Sequence, residues 1–285
     1  MKSIKYLFLL LCTIFAFEMI NFNKAEADVC STDANGVVEE DDIDSGCEHL
    51  PNLYEIVIYK MYLCTSIPTE PTTTSTVDLT PCSEIFNNPD GATASVTQGS
   101  EINLSGTYTK PPAGTYTHGY AYMDNTFGIT WAGEIEASMT GQTGGTGVFC
   151  ATVAGAGTHK VGSSLTASSI CSATDNLTPG KQVETMQQFG GSGDDFAAKA
   201  EADIAGTNAS IKGYLVDANE HLGANTNEIV KLEGLVVFGK PVVITTETNS
   251  LSMKFNVAQG MHLVDAGSNK IQISSGPFQA IMTAN

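Results

Sequence analysis

"LYEIVIYKMYLC", residues 53–64, decides the fold class. It is rich in β-branched and aromatic residues, and its apolar side chains fall on both parities. That is the pattern of a central strand covered on both faces. Outward from it, "TSIPTEPTTTSTVDLTPC" (65–82) reads as a Pro/Thr surface loop tied at its ends by Cys64 and Cys82. Further strands are expected at 101–108, 115–123, 127–137 ("FGITWAGEIEA"), 148–153 and 181–189. Beyond residue 208, short apolar runs at 209–218, 227–238, 241–247, 251–258, 262–266, 269–274 and 278–283 are separated by Gly, Asn, Asp or Pro. Only "DDFAAKAEADIA" (194–205), Ala-rich and opened by Asp194 or Asp195 as a cap, reads as a helix. The expectation is a mainly β chain: an antiparallel β-sandwich with long loops and at most one short helix.

The N-terminus has the form of an export signal. Lys2 and Lys5 precede an apolar stretch, and Ala25-Glu26-Ala27 forms a small-x-small cleavage site. Residues 1–27 are therefore read as signal peptide, 28–52 as an acidic, turn-rich extension, and 53–285 as the sandwich domain. The Gly-rich region within 141–180 is the one candidate for an internal division. After cleavage no stretch approaches the ~18 apolar residues of a membrane span, so no membrane insertion is expected.

Export bears on the cysteines. Cys12 leaves with the signal, and Cys30, Cys47, Cys64, Cys82, Cys150 and Cys171 remain, an even number that suggests disulfides in an oxidising compartment. Six cysteines allow about 15 pairings; joining sequence neighbours is the simplest, because each pair brackets a polar or Gly-rich loop. Metal ligation is the rival reading, but no C-x-x-C occurs and His49, His118, His159, His221 and His262 are scattered, so no metal site is expected.

The chain carries a net charge of −18, which becomes −19 when residues 1–27 take away three Lys and two Glu. All basic residues are Lys, and Arg is absent. Such a surface opposes nucleic acids and anionic membranes and offers no bidentate clamp for phosphate or carboxylate. The Gly stretches lack phosphate-loop endings, and no G-x-S-x-G elbow is present. Acids are so frequent that a chance carboxylate pair says little about glycoside hydrolysis. The expectation is a non-enzyme without cofactor. Loose Ca²⁺ screening by "EEDDIDSG" (39–46) is the most that acidic run offers, and a single "GGSGDDF" (190–196) lacks the tandem copies of a calcium-binding β-roll.

The strongest local pattern is "PPAGTYTHGYAYM" (111–123), a turn feeding a strand with Tyr116, His118, Tyr120 and Tyr122 at alternate positions. Such a row is either the face of a core or a platform on which sugar rings stack. Trp131, the single Trp, reads as a core anchor.

Taken with "YEIVIYKMYLCTS", "IKGYLVDANEHLG" and "PVVITTETNSLSMKFNVA", the row resembles uncharacterised exported β-sandwich proteins of marine bacteria and the prealbumin-like layout, in which a Pro-x-Gly-x-Tyr turn feeds a core strand. The resemblance implies export, a sandwich, and a core position for Tyr116.

Two functional expectations follow. The first is a structural or surface protein, a subunit of an extracellular filament or matrix that partners with itself by adding the C-terminal segment "NKIQISSGPFQAIMTAN" (269–285) to a neighbour's sheet edge. The alternative is a carbohydrate-binding or adhesion module that meets surface glycans through the Tyr row. Periplasmic solute capture of the usual kind lacks its alternating βα pattern.

Overall fold

A computed structural model describes residues 28–159, 169–190 and 195–285. The expected signal peptide (1–27), part of the Gly-rich region (160–168) and residues 191–194 of the Gly/Asp turn, with Asp194, lie outside the described residues. The described chain contains α1 (Glu40–Ser45), β1 (Cys47–His49), β2 (Leu53–Cys64), β3 (Cys82–Val96), β4 (Thr107–Tyr108), β5 (Gly114–Thr130), β6 (Ala132–Gly141), β7 (Thr146–Thr152), β8 (Gly155–His159) and β9 (Ser169–Ser172). It continues with β10 (Gln182–Met186), β11 (Lys199–Asp203), β12 (Ser210–Val216), β13 (Lys231–Ile244), β14 (Leu251–Asn256), β15 (Met261–Asp265), β16 (Lys270–Ser275) and β17 (Gln279–Ala284). The fold is mainly β and sandwich-like, as expected.

The larger sheet is built on β5, with the order β11-β12-β13-β5-β2-β3-β4. β13 and β10 share one edge of β5, taking its residues 114–123 and 126–129 in turn, while β2 holds the other edge. β8 extends β10 in parallel. The second sheet runs β1-β15-β16-β6-β7-β9, and β14 with β17 makes a separate two-stranded ribbon. The chain crosses between the large sheets where β5 runs through Trp131 into β6. Buried Trp131 holds this corner through its backbone, donating to Thr152 Oγ1 at 2.9 Å and accepting from the Thr152 N–H at 2.9 Å.

Alternation along these strands makes the core. Ile56 and Ile58 of β2 and Phe127 and Ile129 of β5 join Ile135, Leu263, Ile271 and Ile273 from the second sheet in one buried cluster. Each disulfide staples adjacent backbone in the neighbour pairing, Cys30–Cys47, Cys64–Cys82 and Cys150–Cys171. The last two also sit directly opposite each other in their ladders. Three such bonds mark an oxidising compartment. Among the described residues no helix is long and apolar enough to cross a membrane.

Four local readings need correction. Within the helix expected at 194–205, Lys199–Asp203 is instead strand β11, paired antiparallel with β12. In "KAEAD" the charged and Ala positions alternate with period two, and the free edge of β12 selects that period over Ala's helical propensity. The acidic run holds the helix: α1 spans Glu40–Ser45 and buries Ile43, so the expected turn-rich extension carries regular structure, and Cys47–His49 becomes an edge strand of the second sheet. The strand expected at 101–108 shrinks to an isolated bridge at Glu101 and the two residues of β4. The long strand β3 was hidden by "NNPDG", a genuine turn signal. Residues 88–91 bulge out of the ladder between Asn87 and Ala92, which pair with Lys60 and Ile58.

Candidate functional site

The tyrosine row lies in the interior. Tyr116 is 2% exposed and donates its hydroxyl to the Pro112 carbonyl at 2.8 Å. Tyr120 and Tyr122 are 2% and 6% exposed, and His118 is half-buried with Nδ1 at 2.8 Å from Thr117 Oγ1. The row is also divided. The β13 register shifts between Val237, opposite His118, and Val242, opposite Tyr116. Tyr116 therefore joins the inter-sheet core, whereas Tyr120 and Tyr122 join Tyr214, Val216, Leu235 and Val77 in a smaller core on the outer face. The Pro/Thr loop roofs this second core, burying Pro68, Pro71 and Val77. Its polar centre is Glu233, fully buried, which accepts from the Tyr120 hydroxyl at 2.5 Å. Burial, with Tyr120 and the other charges secondary, pushes the Glu233 carboxyl up to about 7. With these rings covered, the row presents no open face on which a pyranose could stack.

A different place in the fold has the form of a site. Across the inner face of the larger sheet, register aligns Ala200 with Gly213, Gly213 with Gly234, and Gly234 with Ala121. Successive strands thus present a row of the smallest side chains on this face, running from exposed Ala200 to half-buried Gly213, Gly234 and Ala121. The row leaves a hollow of about 280 Å³, walled opposite by Met186, Phe189, Phe255, Phe278 and Ala280. Phe189 needs Gly213, since a Cβ there would come within 2.5 Å of its ring. At Gly234 an added Cβ would approach only the flexible end of Met123.

The walls are apolar, but one end carries polar groups. Glu48 of β1, 7% exposed, and Tyr54 of β2, 1% exposed, both line the cavity. Glu48 Oε1 faces His262 Nδ1 at 3.3 Å, whereas Glu48 Oε2 and the Tyr54 hydroxyl are buried without a hydrogen-bond partner. Behind them Glu184 is fully buried and accepts from the Ser275 N–H at 2.8 Å and the Ser275 hydroxyl at 3.1 Å. Burial raises the Glu48 carboxyl despite the opposing His262, and pushes Glu184 up to about 7 against the two Ser275 bonds. The Tyr54 hydroxyl is held well above its usual range by burial first, then by the Glu184 and Glu48 charges. Buried polar atoms without partners are uncommon in folded proteins and each calls for an explanation.

Sequence reasoning missed this site. Glu48 was one acid in an acidic extension, Tyr54 one aromatic in a strand, and Glu184 one of many carboxylates. The available signal was glycine inside strand patterns, in "IKGYL" and "LEGLV", which marks a bulge or a place of close approach. Among the described residues no group of three or more His, Cys, Asp or Glu could hold a metal ion. No protein-family model, curated protein or solved structure matches the chain.

Proposed function

We propose that the chain is an exported, non-enzymatic binding protein that holds a small amphipathic molecule between its sheets. The observation that carries this reading is the hollow of about 280 Å³ that closes on two buried, unpartnered polar atoms, Glu48 Oε2 and the Tyr54 hydroxyl. An apolar pocket with a few convergent polar groups is the usual form of a small-molecule site. A ligand filling it would satisfy polar atoms that the fold leaves bare.

The test is titration of the oxidised protein with the neutral apolar dye N-phenyl-1-naphthylamine. Saturable one-site fluorescence is expected, and it should be lost in Gly234→Leu, whose side chain would occupy the hollow. An unchanged signal in that variant, with its circular dichroism intact, would move the dye elsewhere and remove the reading.

A second reading, a self-assembling structural subunit, is favoured by one edge. β14 is covered on its outer side by the Gly99 and Ile102 N–H groups, but β17 pairs only with β14 among the described residues and leaves Ile281 42% exposed. Of the C-terminal segment only β17 is free to add to a neighbour, because β16 is paired on both sides within its own chain. Light scattering of the oxidised protein over a concentration series separates the readings: growth into large regular assemblies favours the subunit, and a constant monomer mass the binding protein.

A further inference from the structure

Resting on the cavity reading above, we infer that the ligand's polar end is a protonated amine carried on an apolar body. The polar end of the hollow is short of donors. Glu48 Oε2 has none. The Tyr54 hydroxyl can supply a single proton.

The charges point the same way. Two buried carboxyls, Glu184 and Glu48, act on the Tyr54 hydroxyl at this end, and the basic side chain acting on either is the His262 imidazole. No Lys is among the groups acting on them, and the chain contains no Arg. A carboxylate or phosphate head would meet like charge without compensation. An ammonium group would bring three N–H donors and the missing positive charge together. Burial already holds both carboxyls above their ordinary range. A cation beside them reverses that shift, and the free energy of the reversal is added to binding.

Aromatic faces complete the environment. The Tyr54 ring lies 5.2 Å from Phe278 and 5.8 Å from Phe127, and Phe255 lies 6.2 Å from Phe278. Ring faces attract cations, most strongly away from water. The net charge of −18 also draws cationic solutes toward the molecule. The volume of about 280 Å³ lies just below the ~300–1,000 Å³ range of ligand pockets, which suits a medium-length alkyl or single-ring body.

The experiment compares decylamine, decanol and decanoate as displacers of N-phenyl-1-naphthylamine at about pH 8, where ordinary carboxylates are ionised and alkylamines protonated. Decylamine should compete about tenfold more tightly than decanol, the difference between a charge-assisted and a neutral hydrogen bond, and decanoate should compete least. Glu48→Gln, which keeps the shape, should abolish the amine's advantage and leave decanol unchanged. Equal or tighter competition by decanol or decanoate, or an amine preference that survives Glu48→Gln, overturns the amine assignment and leaves the cavity reading standing. Failure of all three to displace the dye overturns both.

Discussion

Tyr120 and Glu233 show how a single contact is made decisive by burial. The carboxyl is closed off from water, its Oε1 has no partner, and its Oε2 depends on the Tyr120 hydroxyl. Removing that donor leaves a buried acceptor bare, which costs about 1–3 kcal/mol. Tyr120→Phe should therefore lower the free energy of urea unfolding by about that amount. Tyr122→Phe should cost less, because no hydrogen bond of comparable burial ends on its hydroxyl. Equal losses would mean that ring packing and not the bond to Glu233 carries the effect. The sequence offered both residues in plain view but not their partnership. Tyr120 and Glu233 are 113 positions apart, and only the β5–β13 register, which sets Tyr122 opposite Glu233, brings them together.

Among the elements, the Pro/Thr loop changes most between its sequence and its structure. Its composition reads as a solvent excursion, yet it lies back on the outer face of the larger sheet and covers Tyr120, Tyr122 and Tyr214. Glu70 pairs with Lys199 and Lys212 of the sheet, and two further devices hold the loop there. Cys64–Cys82 closes its base, and the Leu222 N–H donates to the Thr72 carbonyl at 2.9 Å from the neighbouring loop. Replacing both cysteines (Cys64→Ser with Cys82→Ser) should cost about 3 kcal/mol in the chain-entropy description and should open residues 65–81 to limited proteolysis. Tyrosine fluorescence should become quenchable by acrylamide at the same time. A loop that stays resistant in this variant would show that its packing, and not the disulfide, holds it down. β11 carries the complementary lesson. Its alternation of charge and Ala was legible, but a five-residue run supports either period until a partner edge is present.

For the whole molecule, the buried carboxyls set the pH response. Glu48, Glu184 and Glu233 titrate higher in the folded state than the ordinary carboxylate value of 4.5, the last two at about 7. Between those limits the folded state holds protons that the unfolded chain releases, so the stability they contribute is fully present below 4.5 and is lost as pH rises through about 7. Each of the two most raised groups costs on the order of 3 kcal/mol once ionised. Glu70, Asp78 and Asp217 are lowered instead, so their contribution is lost as pH falls through the acid range. The melting temperature should peak at about pH 5 and fall toward about pH 8, and Glu184→Gln should flatten that fall. A melting temperature that rises over the same interval would contradict the burial of these acids.

By itself the sequence determined the mainly β class, the six cysteines and their simplest pairing, and the core position of Trp131. These follow from local chemistry: residue type, alternation, and loops short enough for their ends to meet. The tertiary structure alone decided that the Tyr row divides between two cores, that the acidic segment folds into the second sheet, and that Ala200, Gly213, Gly234 and Ala121 align to hollow out a cavity. Each of these depends on strand register, a relation between residues far apart in the chain, which no local pattern records.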